Sequence, residues 1–183
     1  MSSEKKPGTL LVKSGYRHRG QNPLVQFEDA LWSRNVPILL WRHTARNTTE
    51  QSINDLRMYL LMDYDIGGPK SYKDDLGKYD PTTGQLTVWD DSDLFVQLVS
   101  RPSPDLWDLS TPVKMKVDEA RRDLKGNLEI GPRDIVVGLQ WNLGDIQPGK
   151  SASVDVAMAS AIGLGEVSGL TRDVWDLFDK KIR

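Results

Sequence analysis

The stretch Val36-Pro-Ile-Leu-Leu-Trp-Arg-His-Thr-Ala-Arg46 decides the fold class. On an extended chain Leu39, Trp41, His43 and Ala45 fall on one side, and Arg42, Thr44 and Arg46 on the other. A repeat of two is what a strand covered on one face requires, because successive side chains point to opposite faces. The same alternation places Leu56, Met58, Leu60 and Met62 together, and returns in 86–89, 94–99 and 113–117. Ile135, Val137, Leu139 and Trp141 alternate with Val136, Gly138, Gln140 and Asn142, and 154–158 follows the same rule. Segments 9–19 and 24–32 also read as strands. About eight or nine short strands, separated by Gly, Pro, Asn and Asp clusters, predict an all-β fold, an antiparallel β-sandwich.

Two segments depart from this period. Val167, Leu170, Val174, Leu177 and Phe178 recur at helical spacing, which predicts a short C-terminal α-helix over about 168–181, with Ser168 or Thr171 as its cap. Pro104–Ser110 reads as one helical turn. No repeat or low-complexity linker divides the chain, so the expectation is a single domain over 9–183 behind a flexible segment over 1–8.

Composition removes several functions. The chain has 183 residues and no cysteine, which excludes disulfides, thiol catalysis and cysteine-bound zinc or iron–sulfur centres. Its two histidines, His18 and His43, are too few for a histidine-rich metal site. The net charge of −2 argues against nucleic acid, even though Arg42 and Arg46 project together. No apolar run reaches the roughly 18 residues needed for a membrane span. The opening Met1–Gly8 lacks the apolar centre of a signal peptide, which points to the cytoplasm or to a trimmed part of an exported protein.

The acidic stretch Asp63-Tyr-Asp-Ile-Gly-Gly-Pro-Lys-Ser-Tyr-Lys-Asp-Asp-Leu-Gly-Lys-Tyr-Asp80 holds the candidate metal ligands Asp63, Asp65, Asp74, Asp75 and Asp80. Calcium takes six to eight oxygens from carboxylates, carbonyls and water, and a turn forced at Gly67-Gly68-Pro69 returns the later carboxylates towards the earlier ones. The spacing is not that of an EF-hand, and Lys70, Lys73 and Lys78 offer internal neutralisation instead. Asp is also a common turn residue in its own right. Asp90, Asp91 and Asp93 read as a hairpin turn.

Of six tryptophans, Trp41, Trp141 and Trp175 fall in register with apolar neighbours and read as core. Trp89, opposite in phase to Leu86 and Val88, and Trp107, in a proline-flanked segment, are the candidate ligand-binding aromatics, since an exposed ring stacks on a sugar or anchors a partner.

No nucleophile elbow, phosphate loop or zinc-protease helix is present, so no catalytic residue is singled out. His43, in phase with Leu39 and Trp41, reads as a buried, hydrogen-bonded histidine; His18, in Tyr16-Arg-His-Arg19, as a solvated one.

The motifs Trp41-Arg-His-Thr-Ala-Arg-Asn47, Ile53-Asn-Asp-Leu56 and Asp63-Tyr-Asp-Ile-Gly-Gly68 with Asp74-Asp75 resemble a recurring prokaryotic sandwich pattern. So does Gln140-Trp-Asn-Leu-Gly-Asp-Ile-Gln-Pro-Gly149, followed by Val154-Asp-Val156. Together they are similar to the accessory sandwich domains of glucoamylase-like glycoside hydrolases and to Ig-like modules of prokaryotic surface proteins. That resemblance implies a sandwich with a non-catalytic binding or accessory role and a carbohydrate or protein partner. The alternative is a structural subunit that self-assembles into a homo-oligomer or particle, through sheet edges or the small-residue stretch 157–165; a carboxylate-based hydrolase comes third.

Overall fold

The computed structural model describes residues 2–6, 8–16, 24–68 and 71–182, the first of these as backbone only. Two antiparallel sheets and two C-terminal helices form the fold. The large sheet is built from β1 (Ser2–Lys6), β2 (Thr9–Tyr16), β3 (Val25–Trp32), β4 (Ile38–Asn47), β6 (Leu76–Asp80), β7 (Gln85–Trp89), β8 (Leu94–Arg101), β10 (Glu129–Ile130) and β12 (Ser151–Ile162). Its strand order is β1-β2-β3-β4-β12-β8-β7-β6-β10. The small sheet has the order β5-β11-β9, from β5 (Ile53–Tyr64), β9 (Leu106–Ser110) and β11 (Ile135–Ile146).

The period-two pattern explains the layers. Leu60 and Tyr64 of β5, Ile135, Val137, Leu139 and Trp141 of β11, and Leu109 of β9 meet Tyr79, Leu86, Val88, Leu98, Val154 and Val156 of the large sheet in one buried core. On the opposite face of the large sheet, α1 (Leu164–Arg172) and α2 (Val174–Lys181) supply Val167, Val174 and Phe178 against Leu40, Ala157 and Ala159. The small-residue stretch thus ends the last strand and leaves room for helices to fold back on it. Asp155 fixes this layer laterally. Arg42 donates to it twice, at 2.6 and 2.9 Å, and Arg101 bridges it to Asp179 of α2.

The central strand β11 is buried on both faces. The connection 111–128 covers its outer side: Leu124 packs over Gly138, and the Leu124 amide donates to the buried Gln140 Oε1 at 3.0 Å.

Several elements differ from expectation. The C-terminal helix is two helices broken at Asp173, and α1 follows its N-cap residue Gly163, whose positive φ of 84° turns the chain out of β12. Thr171 does not cap a helix; its hydroxyl donates to Gln97 Oε1 at 3.0 Å, which ties α1 to β8, and lies 3.3 Å from the helix carbonyls of Val167 and Ser168. The expected helical turn at 104–110 is strand β9, because Trp107 and Leu109 alternate into the core against β11. The alternating Val113-Lys-Met-Lys-Val117 is not a strand: it pairs with no strand among the described residues, and Val113 is 96% exposed. Residues 2–6, placed within a flexible segment by sequence, run as β1 against β2. The expected strand 9–19 is seen as β2 over Thr9–Tyr16, and its remaining residues 17–19, His18 among them, lie outside the described residues.

Candidate functional site

The large sheet has nine strands and the small one three, and residues of β2, β3 and β4 meet the edge strand β5 of the small sheet around one opening. The step between the two layers is a groove of about 430 Å³, within the range of roughly 300–1,000 Å³ common for small-molecule sites. Leu10 and Val12 of β2, Leu31 of β3 and Leu39 and Trp41 of β4 form its floor; Leu60 and Met62 of β5 form its wall. Leu98, Val156 and Met158 close the deep end.

Asp29 is the one titratable side chain among the described residues that line this groove. The sheet register sets it directly between Val12 and His43. Its Oδ1 accepts from the Trp41 indole Nε1–H at 2.8 Å and lies 2.5 Å from His43 Nδ1. The Phe27 ring stacks on the His43 imidazole at 5.5 Å, and Trp41 meets it edge-on at 6.1 Å. Burial pushes the Asp29 carboxyl up, but the hydrogen bonds from His43 and Trp41 and the His43 charge outweigh it and hold the group below the usual carboxylate range. The carboxylate is therefore ionised at neutral pH, on an otherwise apolar floor. A depressed carboxyl stabilises the fold above its unfolded-state value, and that contribution is lost as pH falls through the lower folded value. Asp29→Asn should accordingly remove part of the acid limb of a stability-versus-pH curve below about pH 4, which thermal melts across that range would register.

This Asp29–His43–Trp41 cluster was only partly visible in sequence. His43 was placed beside Leu39 and Trp41, as found, and it is hydrogen-bonded and mostly covered. Asp29 was missed. The available signal was a charge in phase with Val25, Phe27 and Leu31.

The predicted aromatics separate. Trp89 points to the outer face of the large sheet, where it stacks on Phe95 at 6.0 Å and lines a pocket of about 420 Å³ with Leu76, Lys78, Glu129 and Ile130. A 2.6 Å ion pair joins Lys78 and Glu129 there. Trp107 lies between the sheets, its ring 4.4 Å from Tyr79. It packs half-buried against the inter-sheet core.

The acidic residues also separate. Asp80 serves its own turn, accepting from the Thr82 amide at 2.8 Å and the Thr83 hydroxyl at 2.9 Å. Asp63 is exposed at the end of β5, and Asp65 is exposed just beyond it. Asp74 accepts from Ser71 Oγ at 3.0 Å. Asp75 is fully buried, and burial, with Asp74, Asp65 and Asp90 adding to it, pushes its carboxyl up to about 6 against an opposing Ile66 amide. That amide approaches without completing a hydrogen bond of standard geometry. Asp90 is no mere hairpin residue: it is 3% exposed, and the amide and hydroxyl of Ser92 donate to its Oδ1. Among the described residues no three His, Cys, Asp or Glu side chains converge as a ready ligand set, and no helix is long and apolar enough to cross a membrane.

No protein-family profile matches the chain, and no curated protein matches it. Solved structures do. A putative aldose 1-epimerase from Escherichia coli K12 superposes with a TM-score of 0.60 at 8% identity, over 87% of this chain and 67% of that one. A GalM/aldose epimerase homologue from C. elegans gives a TM-score of 0.57 at 10% identity, over 88% and 68%. A bacterial glucoamylase solved with acarbose gives 0.65 at 12% identity, over 87% of this chain but 24% of its own. The glucoamylase half of the resemblance drawn from sequence thus has a structural counterpart, while the Ig-like half finds no support. The expectation of a non-catalytic binding or accessory module is corrected by the epimerase matches: the fold is shared with chains described as aldose 1-epimerase or its homologue, of which this chain covers 67% and 68%.

Proposed function

We propose that this chain belongs to a carbohydrate-acting enzyme and that the Asp29 groove is its working site, with the anomeric centre of an aldose as the reacting position. The observation that carries the reading is an ionised carboxylate, braced by His43 and Trp41, on the floor of a groove of ligand size. The epimerase matches add support at the level of fold.

Interconverting anomers means removing the proton of the C1 hydroxyl as the bond from C1 to the ring oxygen breaks. The ring oxygen takes a proton, the C1–C2 bond rotates and the ring closes on the other face. Asp29 supplies the base for the hydroxyl proton, and solvent water returns one to the ring oxygen. His43 positions the carboxylate, and Trp41 adds a flat apolar surface for the carbon face of a sugar. A single positioned acid–base group contributes about 10²–10⁴-fold.

The test is polarimetry or exchange NMR on a panel of aldoses, reading the α/β interconversion rate against the spontaneous one. Wild type should accelerate it, and Asp29→Asn should lose at least about a hundredfold of that acceleration while remaining folded. If wild type neither accelerates interconversion nor binds any aldose, the reading is wrong.

A further inference from the structure

We propose that Asp75 and Asp90 hold a calcium ion at the open end of the β6–β7 ladder, with main-chain oxygens and water completing its shell. The register pairs Leu76 with Trp89 and Gly77 with Val88. One step further along, the same register sets Asp75 opposite Asp90. Continuing the strand alternation puts both residues on the core side of the sheet, the side on which Gly77 meets Leu109 and Ile135. Asp75 is 0% exposed and Asp90 3%. Both Asp75 oxygens and the Oδ2 of Asp90 are buried and make no hydrogen bond.

The acidic loop closes over this pair at one point. Asp75 approaches the Ile66 amide, and Asp90 Oδ2 lies 2.7 Å from where a side chain on Gly67 would begin. Gly67 and Gly68 hold φ of 75° and 98°, so the backbone reaches in where a larger residue would be strained and obstructed. Burying a carboxylate without a partner is costly, and two facing carboxylates repel. A divalent cation answers both costs: two negative charges meet two positive ones, and the unpartnered oxygens become ligands. Asp65 and Asp74 add to the same negative field.

The donor set selects the ion. With two carboxylates and no histidine or cysteine converging, the remaining ligands are carbonyl and water oxygens. Calcium accepts six to eight such oxygens in irregular geometry, whereas magnesium demands a near-ideal octahedron. The site lies on β6 and β7, which β4, β12 and β8 separate from the Asp29 strand β3, so it stands or falls independently of the groove.

The experiment uses the whole chain stripped of metal with EDTA and dialysed. Calorimetric titration with CaCl₂ is run alongside thermal melts in CaCl₂, MgCl₂ and EDTA, on wild type, Asp75→Asn and Asp90→Asn. The expected result is saturable calcium binding by wild type and a Tm rise of about 5–10 °C at calcium a hundredfold above Kd. Magnesium should give a smaller rise, and each variant should lose at least about tenfold in calcium affinity. The titration of wild type decides the matter even if a variant fails to fold. No binding heat and identical melts in calcium and EDTA would overturn the proposal, leaving a carboxyl pair that shares a proton. Calcium binding that survives both substitutions unchanged would overturn it as well.

Discussion

Phe178→Ala is expected to lower the folding stability by about 3–5 kcal/mol, a Tm drop on the order of 10 °C for a chain this size. The ring is 0% exposed and sits where α2 meets the large sheet, in one cluster with Leu40, Ala157, Ala159 and Val174. The guanidinium groups of Arg42 and Arg101 lie 5.4 and 5.5 Å from its centroid, and Trp175 lies 5.6 Å away. Alanine would leave a cavity that the surrounding small residues are too short to fill. It would also remove the surface on which Arg42 and Arg101 rest while they grip Asp155. Denaturant unfolding of wild type and variant measures the effect. A loss under 1 kcal/mol would mean that α2 is dispensable to the sheet.

Trp141→Ala should cost a similar 3–5 kcal/mol and, unlike Phe178→Ala, should act between the two sheets. Trp141 is 1% exposed and is the largest fully buried side chain among the described residues. Its indole Nε1–H donates to the Pro102 carbonyl at 3.0 Å, which ties β11 to the chain leaving β8. Truncation would remove the ring and open the core, while the Pro102 carbonyl would keep its bond from the Ser100 hydroxyl. Near-ultraviolet circular dichroism should lose signal along with the stability, and Trp141→Phe should recover most of the packing but not the hydrogen bond.

The strand layers were legible because a sheet covered on one face imposes its period on the residues. β4 shows this best: Leu39, Trp41 and His43 face the groove side while Leu40 and Arg42 face the helices, as the alternation requires. Period alone does not supply a partner, which is why 113–117 alternates correctly yet lies in a loop. β6 escaped notice because one of its two core positions is Gly77, tightly faced by Leu109 and Ile135, so Tyr79 alone carries its apolar pattern. The site was half legible for the same reason. Asp29 and His43 meet only through the pairing of β3 with β4, and nothing local to either residue encodes that register. The sequence marks Asp75 as a candidate metal ligand and Asp90 as a hairpin residue; their facing arrangement follows from the β6–β7 register alone.

The step between the wide sheet and the narrow one also divides the molecule in time. β4, β12 and β8 lie under helices on one face or core on the other, whereas β2 is half-buried at best and exposed from Ser14 to Tyr16. Amide protons in β2 will therefore exchange with deuterated solvent through small local openings, and those of β12 and β11 only when the whole fold opens. The groove straddles that boundary. A ligand bridging Val12 to Met62 joins a fast-exchanging strand to a slow one, and its arrival will be recorded as slowed exchange along β2 and β3 against an unchanged background in β8 and β11.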